Sequence, residues 1–248
     1  MKENFIFGIR PVVEALRDGK KIDRVLLKHD LNGERKGELL GLLKEYRIPA
    51  QRVPVERLNR LTDKNHQGVV AFIASVEYYS LEDILQELDG RDKVPFILIL
   101  DGITDVRNFG AIARTCECAG VDAIIIPEKG SVSIGPDAIK TSAGALLSIP
   151  VCREPNLRFA VNVLKSNGFR VVAASEKASV NYTDEDYILP TAIVMGNEEK
   201  GISYNVLKEC SALVSIPQFG TIQSLNVSVA CGVMIYEVIR QRMLKHNI

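Results

Sequence analysis

Asn108 and Arg114 stand six positions apart in DGITDVRNFGAIARTC (101–116), and Glu198 lies between Gly196 and Gly201 in VMGNEEKGIS (194–203). Ser224 and Asn226 close the stretch IPQFGTIQSLNVSVA (216–230). Together these side chains supply a permanent cation, a carboxylate, two amides and a hydroxyl, a set suited to gripping polar groups and stabilising charge. Each also has an ordinary structural use. Arginine is usually a surface residue, Asn108 and Ser224 could each cap a helix, and Glu198 would be favoured at any helix N-terminus. The third stretch sets Gly220, Gln223, Ser224 and Asn226 against the most apolar long segment of the chain, from Leu225 to Ile239. A loop that only turned a corner would not need so much hydrogen-bonding capacity.

Several chemistries are excluded by residue type and spacing. No two of the 18 glycines are two positions apart, so a G-x-G dinucleotide fingerprint is absent. Gly196 and Gly201 have the P-loop interval, but Ile202 stands where a phosphate-binding lysine belongs and Glu198 and Glu199 would repel phosphate. The three histidines, His29, His66 and His246, fall outside all three loops, which removes histidine-based triads and most metal sites. The five cysteines, Cys116, Cys118, Cys152, Cys210 and Cys231, fit no zinc spacing and read as buried, reduced thiols. No metal is expected. No charged-then-apolar leader opens MKENFIFGIR, and the segment from Leu225 to Ile239 is too short to span a membrane, so a cytoplasmic protein is expected.

The loops are positioned by a run of apolar strands, FILILD (96–101), AIIIP (123–127), RVVAAS (170–175), TAIVMG (191–196) and ALVSIP (212–217). Helical stretches separate them at 108–119, 157–167, 202–209 and 224–243. Apolar strands without alternation, divided by helices, predict an α/β fold with a mostly parallel sheet buried on both faces. Ligands bind such sheets at the carboxyl ends of strands, which directs attention to the loops after Asp101, Gly196 and Pro217.

Residues 1–76 read as a separate small α/β domain. Helices are predicted at 11–19, 33–46 and 56–63, with strands at 23–28, 50–55 and 68–76, and Leu39, Leu40, Leu42 and Leu43 form an apolar stripe. Residues 77–95 read as a linker in which Ser80 opens a short acidic helix with Asp83 as its capping-box partner, and 96–248 as the second domain. Net charge is zero overall, yet residues 1–75 hold 15 Lys and Arg against 10 Asp and Glu. A basic module joined to an acidic one suggests that the first touches a polyanion.

The three loops, in order and internal spacing, resemble the three motifs of the SpoU (TrmH-like) branch of the SPOUT RNA 2′-O-ribose methyltransferases. Asn108 and Arg114 match the first motif, Gly196, Glu198 and Gly201 the second, and Ser224, Leu225 and Asn226 the third. KTSAGALLSIP (140–150) and HQGVVA (66–71) also resemble family segments, whereas Val106 and Gln218 replace the usual proline and methionine. The resemblance covers nearly the whole chain and is strongest to the bacterial enzymes that methylate a guanosine ribose in 23S rRNA. It implies a trefoil-knotted C-terminal domain, a homodimer, an RNA substrate and S-adenosyl-L-methionine as methyl donor. It further implies catalytic roles for Asn108, Arg114, Glu198, Ser224 and Asn226, cofactor contacts from Gly196, Ile216 and Leu225, and RNA contacts from Arg10, His66 and Gln67. A guanidinium stays protonated in proteins, so Arg114 is expected to grip a phosphate and stabilise a developing alkoxide, not to act as a base. Two other readings fit: a tRNA 2′-O-methyltransferase, and a catalytically silent RNA-binding or ribosome-assembly factor. The intact Asn108, Arg114, Glu198 and Asn226 disfavour the silent factor.

Overall fold

A computed structural model describes residues 5–46, 48–222 and 224–246. Gln223 of the third loop lies outside the described residues. The chain divides into two compact units, the first running to Glu77 and taking in Ile134–Pro136, the second made of Tyr78–Ser133 and Asp137 onward.

The first unit runs β1 (Phe5–Phe7), α1 (Ile9–Arg17), β2 (Ile22–Lys28), α2 (Lys36–Glu45), β3 (Ala50–Val53), α3 (Val55–Asn59) and β4 (Val69–Ile73). Its sheet has the order β1-β4-β2-β3, with β2 and β3 parallel and the other pairs antiparallel. One face packs Val12, Val13 and Leu16 of α1 and Leu39 and Leu43 of α2 on Val25, Leu27, Val69 and Ala71. The other packs Leu58 of α3 on Leu26, Val53, Val70 and Phe72. Of the four-leucine stripe, Leu39 and Leu43 are buried and Leu40 and Leu42 half-buried. The first helix starts two residues earlier than its sequence pattern indicates, with Gln67 Oε1 accepting the Ile9 N–H at 3.2 Å. Strand β1 was missed because three residues are too few to show alternation.

The second unit runs β5 (Tyr78–Tyr79), α4 (Leu81–Leu88), β6 (Phe96–Asp101), α5 (Val106–Cys118), β7 (Ala123–Pro127), α6 (Pro136–Thr141), β8 (Val151–Glu154), α7 (Leu157–Ser166) and β9 (Arg170–Ala174). It continues with β10 (Val180–Asn181), β11 (Thr191–Gly196), α8 (Tyr204–Leu207), β12 (Ala212–Ser215) and α9 (Val227–His246). Its eight strands have the order β10-β12-β9-β11-β6-β7-β8-β5, and every pairing is parallel. Residues Phe96 to Leu100 and Ala192 to Val194 are fully buried, as strands covered on both faces must be. Ser80 caps α4, accepting the Asp83 N–H at 3.1 Å while its hydroxyl donates to Asp83 Oδ2 at 2.6 Å. The short β8 and α6 were not foreseen, and the helix read at 202–209 holds only four residues, Tyr204–Leu207.

Near the far end of α9, the Arg242 guanidinium donates to the carbonyls of Val94 at 2.8 Å, Pro95 and Leu189 at 3.0 Å and Tyr187 at 3.1 Å. It thereby ties the last helix to the chain entering β6 and β11. Burial lowers its pKa to about 10.

The cysteines are free, and they correct the expectation of uniform burial. Cys116, Cys152 and Cys231 are buried and Cys210 is half-buried, but Cys118 is exposed because two helical steps turn it away from Cys116. Among the described residues, no helix is long and apolar enough to cross a membrane, and no group of three His, Cys, Asp or Glu could hold a metal ion.

Candidate active site

At the carboxyl end of β6, Asp101 Oδ2 accepts the Ser203 N–H at 2.7 Å, joining this strand end to the loop that follows β11. Asp105 then caps α5, its carboxylate accepting the Asn108 N–H at 2.8 Å. This corrects one alternative for Asn108, which is the third residue of the helix and not its cap. Its side chain is left for contacts elsewhere.

After β11 the chain folds back sharply. Asn197 Nδ2 donates to Gly102 O at 3.1 Å, and Asn197 Oδ1 accepts from Glu199 N at 2.8 Å and Lys200 N at 3.3 Å. Gly201 N closes the turn on Asn197 O at 2.8 Å. A Cβ on Gly196 would lie 2.3 Å from Gly201 C and from Ile202 N, so this glycine is required by the loop's own backbone. The expectation that its missing side chain makes room for a ligand is therefore joined by a more immediate reason. The fold-back presents Glu198.

The third loop leads into α9, whose first residue is Val227. Asn226 takes the capping place, its Oδ1 accepting from Ser228 N at 3.0 Å and from the Ser228 hydroxyl at 2.5 Å. The capping alternative for Ser224 is corrected in turn. Ser224 lies exposed, two residues upstream of the cap.

The three loops meet at one carboxylate. Glu198 Oε1 accepts from Asn226 Nδ2 at 2.7 Å, Val227 N at 3.0 Å and Asn108 Nδ2 at 3.3 Å. Asn226 Nδ2 also donates to Asn108 Oδ1 at 3.0 Å, closing a ring of three side chains. The carboxylate faces the start of α9, where free N–H groups and the helix dipole favour negative charge. The sequence anticipated such a helix start near Glu198, though not that it belongs to α9. Arg114 stands outside the ring, exposed on α5 about two turns beyond Asn108 and ~120° round the helix. Among the described residues it forms no ion pair.

Beside the ring is a cleft of about 220 Å³ at the carboxyl ends of the neighbouring strands β12, β9 and β11. Gly196, Glu198, Ile216, Ser224 and Leu225 line it, whereas Asn108, Arg114 and Asn226 do not. Its wall also includes residues 174–177, which sequence reasoning missed. RVVAAS was read as a strand of the same parallel sheet, but only the sheet order puts its end between those of β12 and β11. Glu176, Glu198 and Glu199 against Lys177 and Lys200 give the lining a surplus of negative charge.

In the first unit, Arg10 is exposed and paired with Glu14 at 2.7 Å, which raises its pKa. His66 is buried, with Nε2 2.8 Å from Asn59 Oδ1 and Nδ1 accepting the Gly68 N–H at 3.0 Å, so both ring nitrogens are used internally. Gln67 is exposed in backbone position, but its Oε1 is held by Ile9 N.

Comparison with known proteins identifies the family of both parts of the chain. Residues 95–236 match the SpoU rRNA Methylase family, and residues 5–79 match the family of RNA 2′-O ribose methyltransferase substrate-binding domains. The chain belongs to the SpoU family of RNA methyltransferases. A Staphylococcus saprophyticus protein assigned to the TrmH family of tRNA/rRNA methyltransferases is 38% identical over 242 residues, 98% of this chain and 97% of that one. The AdoMet-bound rRNA methyltransferase from Sinorhizobium meliloti superposes with a TM-score of 0.60 at 26% identity, covering 96% of this chain and 87% of that chain. The TrmH/SpoU tRNA modifying enzyme of A. aeolicus gives a TM-score of 0.57 at 32% identity, covering 67% of this chain and 84% of that chain.

Proposed function

We propose that the protein methylates a ribose 2′-hydroxyl of RNA, with a guanosine of 23S rRNA as its target and S-adenosyl-L-methionine as donor. The observation that carries this reading is the ring of Asn108, Glu198 and Asn226 beside a cleft at three strand ends. The cleft's residues suit the donor. Strand-end main-chain groups near Gly196, Ile216 and Leu225 match an adenine edge, and the acidic surplus suits a sulfonium cation. When bound, the donor supplies an electrophilic methyl group.

The chain's own residues would do the rest. A 2′-hydroxyl is a poor nucleophile until its proton leaves, so positioning forms a large share of the rate. Glu198 and Asn226 fix the loops against each other, and Asn108 holds the start of α5 to the same carboxylate. Arg114, protonated and two turns further along, reaches for the phosphate next to the reacting ribose and stabilises the alkoxide as charge develops. Ser224, at the mouth of the cleft, donates to or accepts from the substrate.

Residues 1–76 would serve as the RNA-binding domain and 96–248 as the catalytic domain, with the connecting stretch 77–95 packed onto the latter through β5 and α4. Arg10 and Gln67 can meet RNA, while His66 supports them from within. Association as a homodimer is supported by α9, which leaves Val229, Tyr236 and Met243 about half exposed on one face although its other face is buried. A trefoil knot in the C-terminal part belongs to the same reading, as what the resemblance to SPOUT enzymes implies.

A tRNA substrate is the second reading, favoured by the 32% identity to the A. aeolicus tRNA modifying enzyme. Against it, that likeness covers 67% of this chain, whereas the likeness to the S. meliloti rRNA enzyme covers 96%. Mapping of ribose methylation across rRNA and tRNA, with and without this protein, decides between them. One 23S mark should vanish on deletion and return with the wild-type gene but not with Arg114→Ala. A lost tRNA mark would move the substrate, and an unchanged map would end the proposal.

A further inference from the structure

The first unit contains a concavity of about 360 Å³ that the methyl-transfer step does not use and to which the domain match assigns no residue. Lys28, Asp30, Leu31 and Asn32 follow β2 into it, Val55 begins α3 beside it, and residues 65–68 form the rest of the wall. The wall is held rigidly. Gln67 has a φ of +50°, uncommon for a residue with a side chain. Its N–H donates to Asn65 Oδ1 at 3.2 Å and its Oε1 accepts from Ile9 N at 3.2 Å. His66 braces the same turn through Gly68 N and Asn59. Gly68 has a φ of +78°, and a Cβ there would lie 3.1 Å from both Leu31 Cδ1 and Lys28 Cβ. Backbone kept in such a conformation by several anchors is characteristic of ligand clamps.

The charge around the pocket suits RNA. Lys28, Arg52, Arg57, Arg60 and Lys64 lie in the stretches 28–32 and 52–68 at this end of the sheet, against Asp30, Glu56 and Asp63. Among the described residues no Phe, Tyr or Trp lines the pocket, and its one ring, His66, is buried and held at both nitrogens, so a base here would be gripped chiefly by its edge and by aliphatic contact. Asp30 is an acceptor-only group when ionised, so it calls for neighbouring N–H donors. Guanine, with N1–H beside its N2 amino group, offers them.

We propose that this pocket takes one unpaired guanine of the RNA substrate, with Val55 against one face and Asp30 and Asn32 at its donor edge. The proposal rests on the reading of the protein as an enzyme acting on RNA, and it adds a specificity site built within the first unit. His66 is then a positioning residue for the pocket wall.

The test uses the full chain and fluorescein-labelled single-stranded RNA 8-mers, one of uridine only and three carrying a single central G, A or C. By fluorescence anisotropy the wild type should bind the G oligomer about tenfold tighter than the others. Asp30→Ala with Asn32→Ala, both exposed loop positions, should abolish that preference. Lys64→Ala should weaken all four alike and reduce their salt dependence while keeping the preference. A wild type indifferent to the central base, a preference for another base, or a double variant that keeps the G preference would each overturn the proposal. Calorimetry with S-adenosyl-L-methionine runs alongside. Absence of heat with the wild type would remove the methyltransferase reading without altering the oligomer result, and the double variant should bind the donor as the wild type does.

Discussion

Asn226 donates its side-chain amide to Glu198 at 2.7 Å across 28 residues of chain, and with the neighbouring Val227 N–H this contact fixes the start of the last helix to the loop after β11. The same Glu198 oxygen also serves Asn108 and the Val227 amide. A single carboxylate thus sets the spacing of all three motifs.

Replacing Glu198 by Ala should harm the reaction far more than the fold. The ring is open to water, so its donors find solvent partners and the loss of stability should be about 1 kcal/mol. Misalignment of the loops should lower the rate of methyl transfer roughly 10- to 100-fold. Incorporation of labelled methyl into RNA measures the rate, and thermal melting measures the stability. Glu198→Gln, which keeps an acceptor at that place, should fall between wild type and Ala.

Arg114→Ala should lower kcat by about 10²–10³, the usual cost of removing a group aimed at developing charge. Cofactor affinity by calorimetry should not change, because Arg114 does not line the cleft. Arg114→Lys should restore little, since an ammonium cannot reproduce a two-pronged grip on phosphate. Full activity in the Ala variant would remove Arg114 from the mechanism.

Gly196→Ala places a methyl group 2.3 Å from main-chain atoms of Gly201 and Ile202. The loop has to open, which should cost about 1–3 kcal/mol in urea denaturation and weaken donor binding together. Wild-type affinity with unchanged stability would mean that the turn relaxes freely.

Thiol labelling at neutral pH should proceed fast at Cys118 and slowly elsewhere. Burial raises Cys152 and Cys210 to about 12 and Cys116 and Cys231 higher still, so these four remain protonated. The sign of the linkage follows. The raised folded-state values contribute stability that is complete below the unfolded thiol pKa, and that is lost as pH climbs from about 9 toward 12. Mass spectrometry after brief alkylation checks the first point, and denaturation at pH 8 and pH 10 the second.

Sequence reasoning reached the parallel sheet because five runs such as FILILD are apolar on both faces, and it reached the three loops because ligands gather at the ends of such strands. It also placed Ser80 and Asp83 in their capping box. It left capping open as an alternative for Asn108 and for Ser224. Asp105 and Asn226 compete for those places, and several polar residues near a helix start look alike until the first helical turn is located. Strand order was not legible either, since nothing in RVVAAS says that its end lies between those of β11 and β12. That ordering is what makes residues 174–177 part of the cleft. His66 and Gln67 were singled out as RNA contacts by resemblance, and only the structure shows that their side chains are bonded to Asn59 and Ile9.

The ring draws on positions 108, 198 and 226, the last of them at the entrance to α9. During translation the first two partners can emerge and fold while the third is still to be made. Until α9 has emerged and seated itself, the carboxylate of Glu198 lacks both the Asn226 amide and the Val227 N–H, so the ring is the last part of the second unit to close.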